Sequence, residues 1–395
     1  MRNDGPVVLF TGGLAGDGVA RNTVHLANAL ARRGTRVEVI CLKGGALAGE
    51  LQGPIVTPLG QGRRPRGLAL AAAVPALHAR LQALSPSVVM SMGNHAHLAV
   101  WAALRGLPDI PRLYRISNDP RRSTRGASLR DLGLRLVAAD ATRLVCVSQA
   151  IAGQGAFRRA RRDRRVEVLP NGVDAAKVQA LARRGGPRCG QAPYIVAVGR
   201  AHPQKNYGAL IDALALARRQ MPDLQLRIVG AAPSRARGAL VAQAQGLGIG
   251  SAVIFHGETA NPFPWVAAAA AYVLPSLWEG ASNSLLEALA LGVPLVASRT
   301  AGNAAEVLDG GRYGALADPR DPADLARAIV RQALPETRIL PGDRAAAFRL
   351  EAVTARLCGI VAGARSEHDE IQMLPEGPGH VRGLDDGLRG TNMEP

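Results

Sequence analysis

Short apolar runs, each closed by glycine or by a polar cluster, recur along this chain with helical periodicity between them. Val7 to Phe10 runs into Gly12-Gly13-Leu14-Ala15-Gly16-Asp17-Gly18, and a helix follows through Leu26 and Leu30 to Gly34. Further strands are expected at Val37 to Cys41, Val88 to Met92, Leu113 to Ile116, Leu144 to Val147 and Val166 to Leu169. Helices are expected between them over Leu68 to Leu84, His97 to Leu104 and Leu129 to Ala139. Arg183 to Pro193 is polar, rich in Gly and Pro, and reads as a linker. The alternation then restarts with strands at Tyr194 to Val198, Leu224 to Val229, Val253 to His256, Tyr272 to Pro275 and Val293 to Ala297. Strand and helix alternating in this way build parallel sheets covered on both faces. The fold class is therefore α/β, with two doubly wound Rossmann-like domains.

A chain of 395 residues fits two domains of about 150 to 200 residues each. The expected division is 1–185 for the first and 186–340 for the second. A helix within 341–365 would pack back on the first domain, and 366–395, Gly-rich and polar, is expected to be a disordered tail. No apolar run is expected to span a bilayer, and the N-terminus lacks a long apolar core of the signal-peptide kind. Cys41, Cys146, Cys189 and Cys358 show no close pairing, and Cys41 and Cys146 fall in apolar strand patterns. Buried thiols in a reducing compartment are expected, hence a cytoplasmic protein.

The net charge is +17, and all of it lies in the first half. Residues 1–185 hold 28 Lys and Arg against 11 Asp and Glu, with a dense run at Arg158, Arg159, Arg161, Arg162, Arg164 and Arg165. An anionic partner for that half is implied, either nucleic acid or an anionic membrane surface. The chain has no zinc-finger, homeodomain or RRM signature and few aromatics to stack bases on, so nucleic acid is not expected. The plain alternative is arginine written wherever a surface allows it.

Chemistry concentrates in Ser276-Leu277-Trp278-Glu279-Gly280-Ala281-Ser282-Asn283-Ser284-Leu285-Leu286-Glu287. A buried strand ends before it, and a helix closed by Gly292 and Pro294 comes next. Glu279 in the turn and Glu287 in the helix bracket the junction. Free amides around Ser282, Asn283 and Ser284 suit a phosphate or a sugar hydroxyl. The alternative for Glu287 is a capping box with Ser284. Arg200 and Lys205 leave the tip of the second domain's first strand, and two fixed cations there suit a diphosphate. In the first domain, Gly12, Gly13 and Gly16 do not spell the dinucleotide fingerprint, but they would let a phosphate or an acceptor approach the backbone. His95 and His97 come after another strand and are not spaced as a metal site, so no metal is expected there.

These pieces, taken in order, resemble the family 4 glycosyltransferases of the GT-B fold. The matching residues are Asn171-Gly172-Val173-Asp174, which the resemblance puts at the domain junction, Gly199-Arg200 with Lys205-Asn206, Val229-Gly230, Phe255-His256-Gly257, Pro275-Ser276, Glu279-Gly280, Glu287-Ala288, Gly292-Val293-Pro294 and Gly302 to Glu306. Asn303 stands where a second glycine is common in that loop, and Asn tolerates a left-handed backbone. The resemblance implies two domains facing a central cleft and a retaining transferase that moves a sugar from a nucleoside-diphosphate sugar. Arg200 and Lys205 would hold the diphosphate, and Glu287 the ribose. Glu279, with amides near Asn283 and Ser284, would hold the sugar, and amides near Leu285 would support the phosphate. His95 would be the histidine near the reacting centre, with His97 as the alternative. The chain has no Asp-x-Asp triplet, which agrees with an enzyme that needs neither metal nor cofactor. The expected partners are a nucleotide sugar, a glycan or lipid-linked acceptor, and the inner membrane surface. Bacterial surface polysaccharide or lipopolysaccharide assembly is the implied setting. An epimerase of the same fold, and a nucleotide- or nucleic-acid-binding protein without catalysis, are the other readings.

Overall fold

The structure, a computed structural model, describes residues 4–16, 18–60, 65–118, 127–185 and 192–373. Cys189 and the tail from 374 onward lie outside these. The first domain carries strands β1 (Val7–Thr11), β2 (Val37–Cys41), β3 (Ile55–Pro58), β4 (Val88–Ser91), β5 (Arg112–Ile116), β6 (Arg143–Cys146) and β7 (Val166–Val168). Its helices are α1 (Gly18–Ala31), α2 (Arg66–Leu84), α3 (His97–Ala103), α4 (Ala127–Asp140), α5 (Gln149–Ala152) and α6 (Arg158–Arg162). Beyond it lie α7 (Ala175–Ala182), β8 (Tyr194–Val198), α8 (Tyr207–Ala217), β9 (Gln225–Val229), α9 (Ser234–Gly246) and β10 (Val253–Gly257). Then come α10 (Phe263–Ala267), β11 (Ala271–Leu274), α11 (Asn283–Ala290), β12 (Leu295–Ser298), α12 (Ala304–Val307), β13 (Ala315–Ala317), α13 (Pro322–Ala333) and α14 (Leu350–Met373).

The strands order as β3-β2-β1-β4-β5-β6-β7 in one sheet and β10-β9-β8-β11-β12-β13 in the other. The neighbouring strands pair in parallel, with Leu9 set against Val39 on one side and Met90 on the other. In both sheets the order reverses between the first strand and the fourth, which opens a crevice at the carboxyl ends of the strands. The loops after β1, β4, β8 and β11 therefore border that crevice. Each sheet is buried on both faces, which is why its strands read as continuous apolar runs.

Four expectations change. β3 is an edge strand whose half-exposed residues and terminal Pro58 mask its pattern. α7, capped by Asp174 Oδ1 on the Lys177 amide, packs against α10 and α11, with Val178 in the second domain's core. The chain thus crosses between domains at Asn171–Asp174, not at residue 185. α14 lies on the first domain, where Val353, Leu357, Val361 and Ala364 join the core under α1. It continues to Met373, so 366–373 belong to a helix rather than to a tail. Finally, Gly67–Leu84 of α2 is long and apolar enough to cross a membrane by composition, with only 28% of it buried. Leu77 and Leu81 face the core, whereas Leu68, Ala71, Pro75, Ala76, Ala79 and Ala83 are exposed.

Candidate active site

β11 ends at Leu274, and the chain turns through Ser276–Gly280 before α11 begins. Ser282 caps that helix: its Oγ accepts from the Leu285 amide at 3.3 Å. Ser284 Oγ accepts from the Tyr272 hydroxyl at 2.7 Å. The alternative capping box between Ser284 and Glu287 does not form, because the cap sits two residues earlier and Glu287 lies a turn further in, on the cleft. The Leu285 amide is spent on Ser282 and its side chain is fully buried, which leaves the amides of Asn283 and Ser284 as the ones at the helix start nearest the cleft. Burial raises the Glu287 carboxyl above its usual range, and Arg21 of α1 partly offsets this from across the cleft.

Glu279 and Lys205 meet directly. Lys205 Nζ donates to Glu279 Oε1 at 2.6 Å, and the Ser276 hydroxyl donates to the same oxygen at 2.8 Å. Gln204 Nε2 donates to Glu279 Oε2 at 3.2 Å. Both members of the ion pair are mostly shielded, with side chains 19% and 11% exposed. Arg200 stays exposed at the cleft mouth. Gly199, at φ 142°, lacks the Cβ that would stand 3.0 Å from Lys205 Cε, and so lets the lysine lie against the strand tip.

Arg200, Lys205, Glu279, Ser282, Asn283, Ser284 and Glu287 line one cavity of ≈ 580 Å³, closed from the first domain by Ala15, Gly16, Gly18 and Arg21. A neighbouring space of ≈ 540 Å³ shares Gly16, Arg21, Phe263, Asn283 and Glu287, and adds His25, Glu50 and Lys177. His25 is held down to about 4 by burial first and by Arg21 and Lys177 next, so it is neutral at pH 7. Arg21, Asn22, His25, Glu258 and Thr259 were not anticipated. Their only signal was polarity on a helix or loop directly after a strand end.

The first-domain candidates divide. Of the glycines, Gly16 lines both cavities, whereas Gly12 and Gly13 line neither. Gly12 makes room for His95: a Cβ there would stand 2.8 Å from His95 Nε2. His95 is exposed beside that loop, and its neighbour Asn94 ties the loop to β5, accepting from the Ser117 amide and donating to the Asn118 carbonyl, both at 2.8 Å. His97, the alternative, is fully buried. Its Nδ1 bonds Ser91 Oγ at 2.7 Å, its ring stands edge-on to Tyr114, and burial pushes its pKa down to about 3. It is a core residue. In the basic run, Arg161 bonds the carbonyls of Ala152 and Gln154, and Arg165 those of Ala138 and Ala141. Those two brace helix ends.

The domains touch closely beside the cavity. A Cβ on Gly280 would drive into the Ser117 carbonyl and Asn118, and Glu306 Oε1 of α12 accepts from the Gln149 amide at 2.8 Å. Gly302 takes φ 54° against the Gly280 carbonyl, while Asn303 sits at φ −95°. The glycine supplies the left-handed turn, and Asn303 does not use the left-handed backbone that Asn tolerates.

Two doubly wound parallel sheets whose strand ends face one another across such a cleft define the GT-B fold. Residues 16–177 match the family described as Glycosyltransferase Family 4, and residues 192–333 match Glycosyl transferases group 1. The chain belongs to these group 1, family 4 glycosyltransferases, a family of sugar-transferring enzymes. It is similar to the GDP-mannose-dependent alpha-(1-6)-phosphatidylinositol monomannoside mannosyltransferase of Mycolicibacterium smegmatis, 35% identical over 178 residues. That alignment spans 42% of this chain and less than half, 46%, of the relative. It is also similar to the lipopolysaccharide core biosynthesis glycosyltransferase LpsE of Rhizobium meliloti, 28% identical over 79% of this chain and 84% of that one. Among solved structures, Anabaena HepE in complex with UDP and glucose superposes with TM-score 0.65 at 20% identity, over 93% of this chain and 99% of that one.

Proposed function

We propose that the protein transfers a sugar from a nucleoside-diphosphate sugar to a glycan or lipid-linked acceptor, with retention of configuration. The observation that carries this is the single cavity on which Arg200, Lys205, Glu279, Glu287 and the start of α11 converge. Glu287 accepts hydrogen bonds from the ribose hydroxyls, and a buried carboxylate with few other partners is well suited to that. Arg200, Lys205 and the amides of Asn283 and Ser284 meet the diphosphate and the negative charge that grows on it as the glycosidic bond breaks. Glu279, its Oε1 already held by Lys205 and Ser276, turns the pair toward the sugar hydroxyls. His95 is assigned to the acceptor side. The charge of the leaving group is met by these side chains and the helix terminus. The names of LpsE and of the mannosyltransferase support a lipopolysaccharide or lipid-linked acceptor, and HepE with UDP and glucose supports a nucleotide-sugar donor. The exposed apolar face of α2 and the arginine excess of the first domain support peripheral contact with an anionic inner membrane.

A thermal-shift screen of nucleoside diphosphates and nucleotide sugars tests the reading. A ligand at about 100 times its dissociation constant adds roughly 2.7 kcal/mol of stability. One base should raise the melting temperature clearly, and Lys205→Ala should abolish most of that rise. No shift with any nucleotide would sink the proposal.

A further inference from the structure

Four polar side chains from separate stretches of chain meet where the domains touch. Arg115, at the cleft end of β5, is 1% exposed, and no carboxylate among the described residues pairs with it. Burial lowers its guanidinium to about 10, so it remains protonated at neutral pH. Its Nη2 donates to Asn171 Oδ1 at 2.7 Å. A guanidinium can only donate, so Asn171 must turn its oxygen to Arg115 and its NH2 away. That NH2 donates to Asn283 Oδ1 at 2.6 Å and to the Ala281 carbonyl at 3.3 Å. Asn22, itself anchored to the Gly18 carbonyl at 2.8 Å, donates to the same Asn283 oxygen at 3.3 Å. With its oxygen taken twice, Asn283 presents its NH2 to the cleft, 3.6 Å from where a Cβ on Gly18 would stand. Among the described residues no acceptor bonds that NH2, although Asn283 lines both cavities.

We infer that Arg115, acting through Asn171, is a positioning residue that locks the Asn283 amide with its NH2 toward the cleft, as a donor to a phosphate oxygen of the nucleoside diphosphate. The inference rests on the donor reading above. It adds a ligand contact set by side-chain polarity rather than by the helix terminus. Because the relay draws on both domains and on the segment between them, the donor contact is complete only when the domains are together.

The test is calorimetric titration of the full chain with nucleoside diphosphates, with melting temperatures taken without ligand. Asn283→Asp keeps an oxygen for Asn171 and Asn22 but replaces the cleft-facing NH2 with a second, charged oxygen. It should melt within about 2 °C of wild type and bind the preferred nucleoside diphosphate about tenfold or more weakly. Arg115→Met frees the Asn171 amide to turn and should also weaken binding, whereas Arg115→Lys, still a donor, should restore it. A purely structural arginine predicts that Met and Lys act alike, and that result overturns the inference even if Asn283→Asp fails to fold. Asn283→Asp binding as wild type does overturns it as well. If the wild type binds no nucleoside diphosphate or nucleotide sugar, the donor reading falls and takes this inference with it.

Discussion

Glu287 sits where its surroundings disfavour the ionised carboxylate. Its folded pKa is raised by burial. The folded state therefore holds the proton more tightly than the unfolded chain, and stability is lost as pH rises from the ordinary carboxylate range through the raised value. Glu287→Gln removes that cost. It should melt higher than wild type at pH 7, by about 2 °C, with the gap closing as pH falls toward 4, and it should bind nucleotide more weakly. A lower melting temperature at pH 7 would mean that the carboxylate is a structural bond partner instead. At this scale the sequence was partly legible. Arg200, Lys205 and Glu279 stand just beyond apolar strands, where charge stands out from the pattern. Arg21 and Asn22 gave no such sign, because polar residues on a helix are unremarkable until the fold shows which of them meets the other domain. The histidine pair needed burial to be resolved: Ser91 and Tyr114 enclose His97, and no spacing rule reports that.

At the scale of elements, the cleft depends on loops that pass within backbone distance of one another. Gly280 has no room for a methyl group because the loop after β5 lies against it. Gly280→Ala should wedge the domains apart while leaving each sheet intact. Turnover should fall by about 100-fold, the cost of a displacement near 1 Å at a reacting centre. Nucleotide affinity should fall much less, and small-angle scattering should report a larger radius of gyration. Unchanged turnover would place the close approach outside the working state. Strands and helices were legible where both faces are buried, since β1, β4 and β8 read as unbroken apolar runs. β3 was not, because an edge strand shows half its residues to solvent. α7 was hidden in a turn signature, although Asp174 three residues before Lys177 was an available cap signal.

For the whole molecule, charge and apolar exposure fall on the same domain. The chain should sediment with anionic phospholipid vesicles at about 0.1 M salt and be released near 1 M, where screening shortens to about 3 Å. It should leave zwitterionic vesicles largely unbound. Equal binding to both would assign the contact to α2 alone, and no binding to either would remove the membrane from the reading. Two domains were legible from the restart of the alternation after the linker; the family resemblance pointed to a junction at Asn171–Asp174, whereas composition alone put the boundary at 185, because packing rather than composition decides where the chain crosses. The crossings at Val173 and Arg349 run side by side: the Val173 amide donates to the Phe348 carbonyl at 2.8 Å, and the Leu350 amide to the Val173 carbonyl at 3.0 Å. The second crossing leads into α14, whose apolar side completes the core beneath α1. On the ribosome the first half of the chain emerges long before that helix exists. It must wait, with part of its core open, until the second half has been made, so the domain translated first is the one that finishes last.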